Sequence, residues 1–273
     1  MTTPHLAPRS LLFLPASNPR AIAKARTLAA DAVLLDLEDA VADDVKAAAR
    51  DAAVAAVREG FGDKLAAIRV NATDHPEHAA DLMAVTASAA DVIVLPKVEI
   101  AADAAAVAAA SSKPLLAMIE TPRGVLAAAE IAAQPGVFGL IAGTNDLRAT
   151  LRLPPSAPRE SLSHALQTII LAARAAGGWA FDGVYNRLND AEGFVTEARA
   201  GRDVGFDGKT LIHPSQVDPC NAAFAPTPDE IEEARALIAA FTGGAERFRD
   251  RMIEAMHVDQ ARALLARMSA AGD

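Results

Sequence analysis

A chain of 273 residues with 52% hydrophobic side chains can enclose one large core, and its length suits a closed (β/α)8 barrel. A formal net charge of −9, with lysines and arginines scattered rather than blocked, argues against a nucleic-acid partner. The single cysteine, Cys220, excludes an internal disulfide framework and a cysteine metal cluster. No apolar run nears the roughly 20 residues of a membrane helix, and the start lacks a cleavable-signal pattern, so a cytoplasmic protein without membrane attachment is expected.

The first apolar burst, Ser10 to Leu14, stops at Pro15, and Asn18-Pro19 predicts a helix start that continues to about Ala30. Ala32 to Leu37 is the second predicted strand, with Asp36, Glu38 and Asp39 crowding its exit, and an Ala-rich helix follows from about Asp43 to Glu59. Strand three, Ala66 to Val70, carries Arg69. A helix from about Glu77 to Ser88 leads to strand four, Asp91 to Leu95, which exits into Pro96 and Lys97. Another helix, about Ile100 to Ala110, precedes the stretch Leu115 to Leu147.

That stretch organises the rest. Leu115 to Ile119 predicts a buried strand ending at Glu120, and Val137 to Ala142 a second one, followed by Gly143-Thr144-Asn145-Asp146. Between them Thr121-Pro122 is an N-cap with a first-turn proline, opening a helix that ends near Gln134-Pro135-Gly136. A crossover of this length makes the strands parallel, so Glu120 and Asp146 leave the same edge of one sheet. Either the two carboxylates share a divalent cation, for which Mg²⁺ is well suited, or each caps a helix or pairs with an arginine.

A proline-bearing loop at Pro154, Pro155 and Pro158 leads to a helix from about Glu160 to Ala176 and then to strand seven, Trp179 to Asp182. A helix from about Asp190 to Val204 precedes strand eight, Lys209 to Ile212, which ends at His213-Pro214. Eight strands alternating with helices predict a (β/α)8 barrel over residues 1–226, with an open doubly wound sheet as the rival. The chain carries neither G-x-G-x-x-G after the first strand nor a P-loop, which speaks against that rival. Residues 227–273 form a helical extension: Thr227 to Glu230 has capping-box spacing and starts a helix to about Phe241, Gly243-Gly244 breaks it, and a last helix runs from about Glu246 to Met268. The extension either covers the barrel floor or faces a partner.

In such barrels the C-terminal ends of the strands build the site. In order these ends offer Arg9, Glu38 and Asp39, Arg69, Lys97, Glu120, Asp146, Asp182 and His213. So many charges beside buried strands require mutual pairing around a polar ligand. Arg69 offers a bidentate fork to a substrate carboxylate, or pairs with Glu38 or Asp39. Lys97 could equally snorkel from the wall, His213 could be a ligand donor or a locally satisfied histidine, and Asp182 could be a turn residue before Gly183.

Seven strings in order carry a resemblance: RSLLFLP from Arg9, LDLEDAV from Leu35, RVN from Arg69, LPKVE from Leu95, MIET from Met118, GTNDL from Gly143, and Gly208-Lys209 with IHPSQ from Ile212. Together they resemble the citrate lyase β-subunit-like (CitE-like) group of the HpcH/HpaI aldolase superfamily. The resemblance implies a TIM barrel, trimeric or hexameric, that cleaves a carbon–carbon bond in a malyl-, citramalyl- or citryl-CoA type thioester to a 2-keto acid and an acyl thioester. It implies Mg²⁺ on Glu120 and Asp146, keto-acid contacts from Arg69 and Glu120 with Arg9 nearby, and coenzyme A contacts from Arg20, Lys24 and the backbone of Ile212 and His213.

Glu38 and Asp39 are the candidate catalytic acids of the barrel. Family lyases also use an aspartate, in an M-I-D-x-P string on a neighbouring subunit's C-terminal segment. Here that string reads Met252-Ile253-Glu254-Ala255-Met256, which makes Glu254 the third candidate. One extra methylene shifts the carboxyl by about a bond length, and a misplacement of about 1 Å can lower a rate by roughly 100-fold. Arg152 and Ala16 also stand where the family has glycine. The alternatives are a class II pyruvate aldolase and a carrier-dependent or non-catalytic subunit of a citrate lyase-like assembly.

Overall fold

Eight short runs rich in leucine, valine, isoleucine and alanine become the parallel strands of a closed barrel in the computed structural model, which describes residues 6–269. The strands are β1 Ser10–Pro15, β2 Ala32–Asp36, β3 Leu65–Arg69, β4 Val92–Leu95, β5 Leu115–Ile119, β6 Val137–Ala142, β7 Trp179–Asp182 and β8 Gly208–Leu211. Each pairs with its sequence neighbour, and β1 closes on β8 through Leu11 opposite Thr210. The rival open sheet is thereby excluded.

Because side chains alternate along a strand, one parity of residues fills the barrel interior. Leu11, Leu34, Ala67, Val94, Leu116, Met118, Ile141 and Phe181 form that inner core. Truncating the fully buried Phe181 to alanine should destabilise by about 3–5 kcal/mol.

The helices of the outer layer are α1 Pro19–Ala25, α2 Lys46–Glu59, α3 His78–Thr86, α4 Ala101–Ser111, α5 Pro122–Leu126, α6 Ala128–Ala132, α7 Thr144–Thr150, α8 Ser163–Ala175, α9 Ala191–Asp203 and α10 Val217–Phe224. The Thr121 hydroxyl accepts the Gly124 N–H at 3.1 Å, as the N-cap reading requires. The single helix expected after it is instead two short ones, α5 and α6, meeting at Ala127, whose ψ of 2° leaves the helical range. The helix expected to reach Ala30 ends at Ala25.

The chain divides into two compact units, one of Ala7–Ala223 and one whose described residues are Leu6 and Phe224–Ser269. In the second, α11 Pro228–Ala240 starts at the expected capping box: the Glu230 N–H donates to Thr227 Oγ1 at 3.2 Å and the Thr227 N–H to Glu230 Oε2 at 2.7 Å. The long final helix expected from Glu246 is corrected. Glu246 Oε1 gathers the N–H groups of Thr242, Gly243 and Gly244, and two antiparallel strands follow, β9 Glu246–Phe248 and β10 Arg251–Ile253. Arg249 turns the hairpin with φ 56°, and α12 begins only at Ala255 and runs to Ser269. Alternation explains the hairpin: Ile253 is buried against Leu237 and Val258, whereas its neighbour Met252 is exposed.

Candidate active site

The inward parity that buries Leu34, Ala67 and Met118 places Asp36, Arg69 and Glu120 at the C-terminal mouth of the barrel. A cavity of about 310 Å³ opens there. Its charged side is formed by Asp36, Asp39, Arg69, Glu120 and Asp146, on β2 to β6 and the segments that follow them. Phe13, Val184 and Ile212, on β1 and after β7 and β8, provide apolar wall. The opening therefore has a charged arc facing an apolar arc.

Arg69 is the centre of the charged arc. Its Nε and Nη2 both donate to Asp36, each at 2.6 Å, and its Nη1 lies 2.8 Å from Glu38 Oε2. The guanidinium also stacks 4.9 Å above the Phe13 ring. Burial opposes its charge, but the hydrogen bonds and field of Asp36 outweigh that and hold it above the usual arginine value. Of the two readings of Arg69 the paired one is seen: Asp36, which was not among the partners expected from sequence, occupies the side edge, and Glu38 stands at Nη1, where a ligand carboxylate would have to share the guanidinium with it.

Glu120 is 3% exposed, and its Oε1 accepts the Lys97 N–H at 2.7 Å. Its Oε2 lies over Gly143, where an added Cβ would sit 2.4 Å from that oxygen. Gly143 precedes α7, whose first turn carries the half-buried Asp146. The Asp146 carboxylate accepts no hydrogen bond and forms no ion pair among the described residues. Burial, then the charges of Glu38 and Asp146, push Glu120 up to about 8, against the Lys97 N–H and Arg69.

Glu38 is buried beside these groups and Asp39 is exposed at the rim. The Lys97 ammonium is 2.6 Å from Glu38 Oε1 and 3.5 Å from Asp39 Oδ1. Burial raises Glu38 above the ordinary carboxylate value despite Arg69 and Lys97. Burial works against the Lys97 charge, yet Glu38 and its neighbours keep the ammonium above its ordinary value.

A divalent cation suits this donor set. Five carboxylates, Asp36, Glu38, Asp39, Glu120 and Asp146, face two cations, Arg69 and Lys97, and this excess of negative charge adds to burial in raising Glu120. Glu120 and Asp146 provide hard oxygen ligands without other duties on the oxygens concerned. No group of three or more His, Cys, Asp or Glu gathers as a metal site among the described residues. Two carboxylates with water and substrate completing the shell is the arrangement that suits Mg²⁺.

Other expected site residues sit elsewhere. Arg9 precedes β1 and so lies at the opposite, N-terminal end of the barrel, where it forms a two-pronged pair with Asp31 at 2.8 and 2.9 Å. It is a structural residue, not a substrate contact. Asp182 lies behind the barrel wall, fully buried between Lys209 at 2.8 Å and Arg159 at 2.7 Å. Lys209 also donates to Glu197 at 2.8 Å, completing a balanced cluster of two acids and two cations. Arg20 and Lys24 are exposed one turn apart on α1, which starts at the mouth end of β1, and neither forms an ion pair among the described residues.

Ile212 lines the cavity with its side chain, but its N–H donates to Gln216 Oε1 at 3.0 Å and is not open to a ligand. His213 Nδ1 accepts the Ser215 N–H at 3.2 Å, which makes it the cap of a short 3-10 turn, the locally satisfied reading. Glu254 is exposed between β10 and α12 in the second unit. Asp36, Gly143 and Gln216 were not singled out from sequence as site residues. Period-two parity from Leu34 would have found Asp36, whereas nothing local in the sequence marks the Gln216 clamp.

No described helix is long and apolar enough to cross a membrane. Comparison with known proteins gives a consistent picture. The chain is 46% identical over 271 residues, 96% of its length and 95% of that protein, to a (3S)-malyl-CoA thioesterase of Cereibacter sphaeroides (strain KD131). It is 38% identical over 264 residues, 94% of each chain, to a citrate lyase subunit beta-like protein of Mycobacterium tuberculosis. The crystal structure of M. tuberculosis CitE in complex with magnesium, acetoacetate and coenzyme A aligns with a TM-score of 0.84, covering 96% of this chain and 98% of that one at 36% identity. The HpcH/HpaI aldolase/citrate lyase family model matches residues 9–214, and this chain belongs to that family.

Proposed function

We propose that this chain is a Mg²⁺-dependent enzyme acting on a malyl-type coenzyme A thioester, with hydrolysis of the thioester as its main reaction. The observation that carries the reading is the meeting of Glu120 and Asp146 at one cavity, in a chain that aligns over 96% of its length with a magnesium- and coenzyme A-containing structure. The 46% identity to a malyl-CoA thioesterase supports hydrolysis.

Glu120 Oε2 and Asp146 would hold the ion, while the Lys97 N–H fixes the other Glu120 oxygen. Bound Mg²⁺ supplies charge to polarise the oxygens of the hydroxy-acid half. The Nη1 end of Arg69 takes the substrate carboxylate, its orientation locked by Asp36. Phe13, Val184 and Ile212 give the carbon chain of the acid an apolar wall. A 310 Å³ cavity accommodates the acid half alone, so the nucleotide end lies outside, with Arg20 and Lys24 offering charge to its phosphates. Glu38 and Asp39 are the acids placed to move a proton. Glu254, exposed between Met252 and Met256, serves a neighbouring copy in a homo-oligomer.

Carbon–carbon cleavage to a 2-keto acid and an acyl thioester is the second reading. It is favoured by the 38% relative named citrate lyase subunit beta-like, and by the aligned structure that contains acetoacetate together with coenzyme A. Product analysis separates them. With malyl-CoA and Mg²⁺, hydrolysis consumes one water and yields malate and the free thiol, whereas cleavage yields glyoxylate and acetyl-CoA. Free thiol without keto acid is expected. Absence of all these products from malyl-, citramalyl- and citryl-CoA would end both readings, and condensation of pyruvate with an aldehyde without any thioester would favour an aldolase.

A further inference from the structure

Lys97 leaves β4 with φ 52°, a left-handed conformation that residues bearing a Cβ rarely adopt. Such strain at a site mouth calls for a functional reason. Here it lets one residue reach three acids. The N–H donates to Glu120 Oε1 at 2.7 Å, while the side chain folds the other way, its Nζ 2.6 Å from Glu38 and 3.5 Å from Asp39. The second Glu38 oxygen is 2.8 Å from Arg69 Nη1, so both of its oxygens face cations.

Divalent ions differ in the number of protein oxygens they collect. Ca²⁺ takes six to eight ligands and accommodates several carboxylates, whereas Mg²⁺ is bound through one or two and keeps its waters. A mouth offering Glu38 and Asp39 in addition to Glu120 and Asp146 would suit the larger ion. With the first two gripped by an ammonium, the remaining pair suits the smaller.

We propose that Lys97 is a specificity-determining residue for the metal: by holding Glu38 and Asp39 it restricts the donors to Glu120 and Asp146 and thereby selects Mg²⁺ over Ca²⁺. This rests on the reading of Glu120 and Asp146 as the ion-holding pair. The left-handed backbone has a separate task, the aiming of one N–H at Glu120. Glycine adopts that conformation freely, so Lys97→Gly removes the ammonium and preserves the backbone.

Isothermal titration of the full chain with Mg²⁺ and with Ca²⁺ tests the proposal without any turnover. In Lys97→Met and Lys97→Gly, Ca²⁺ affinity should rise about tenfold relative to Mg²⁺. Lys97→Arg, which can still grip two carboxylates, should keep the wild-type ratio. Adding Glu38→Gln to Lys97→Gly should reduce the Ca²⁺ gain, and this pair carries the test where Lys97→Met fails to fold. A lysine that only supports the fold would weaken both ions alike, and an unchanged ratio in Lys97→Gly would overturn the proposal. Wild-type protein that binds Mg²⁺ with such unchanged ratios removes this inference alone, whereas wild-type protein that binds neither ion removes the site reading with it.

Discussion

Two groups of buried charge in the same barrel are balanced in opposite ways. Behind β7 and β8, Asp182 and Glu197 meet Lys209 and Arg159, acid for base. Burial raises Asp182, but Lys209 and Arg159 outweigh it and hold the carboxyl below its ordinary value. At the mouth, five carboxylates share Arg69 and Lys97, and Glu120 is driven up to about 8. The balanced cluster is complete as it stands and serves stability. The unbalanced one carries the excess charge that a cation would neutralise in the function proposed above.

The largest effect should come from removing a mouth carboxylate. Glu120→Gln and Asp146→Asn should each lower Mg²⁺-dependent turnover on the order of 10³-fold, because the charge stabilisation routed through the ion is lost. Denaturant titration of the metal-free variants should show stability equal to or above wild type, since repulsion is relieved. Lys209→Met should do the reverse. It leaves the buried Asp182 with Arg159 as its one cation and Asp182 Oδ2 without its partner, and should lower folding stability by about 3 kcal/mol in the same titration. Wild-type stability in Lys209→Met would erase the distinction between the clusters.

Gly143→Ala sharpens the comparison within the mouth. The new Cβ would meet Glu120 Cβ and Oε2 at 2.4 Å, so Mg²⁺ affinity measured by calorimetry should fall by about 1–3 kcal/mol. Because Glu120 Cβ moves only with the backbone after β5, the same substitution should also lower folding stability, by about 1–3 kcal/mol in denaturant titration.

The two clusters should also respond to pH with opposite signs. Glu120 is raised from 4.5 to about 8, so the metal-free native state binds its proton more tightly than the unfolded chain does. Its stabilising contribution is present at low pH and is lost as pH rises from 4.5 towards 8. Asp182 is lowered from 3.8, so its contribution is present above that value and is lost as pH falls below it. Mg²⁺ must displace the Glu120 proton, so calorimetric affinity should fall with decreasing pH below about 8, by at most roughly tenfold per unit. The smallest effects belong to α1. Arg20→Ala and Lys24→Ala should each raise the thioester KM about threefold, and added salt should shrink the difference.

The barrel was legible because its strands are short apolar runs that stop at polar residues, and β5 and β6 occupy the expected residues. The same reading set Glu120 and Asp146 on one edge of the sheet, and both line the mouth cavity, Glu120 directly after β5 and Asp146 in the first turn of α7. Arg9 misled because adjacency to a strand does not say which end: it enters β1 rather than leaving it. Partners distant in sequence were beyond a local reading. Asp36 takes the Arg69 fork from 33 positions away, and Glu120 depends on a lysine backbone 23 positions back. The β9–β10 hairpin was hidden by its brevity, three residues a strand, within a segment whose composition also suits a helix.

The division of the opening into a charged and an apolar arc has a stereochemical consequence. A hydroxy acid gripped by the ion and by Arg69, with its chain against Phe13 and Ile212, touches the protein at three points that do not lie on one line. Its mirror image can satisfy only two of them at once, so such a pocket distinguishes enantiomers without any residue dedicated to that task.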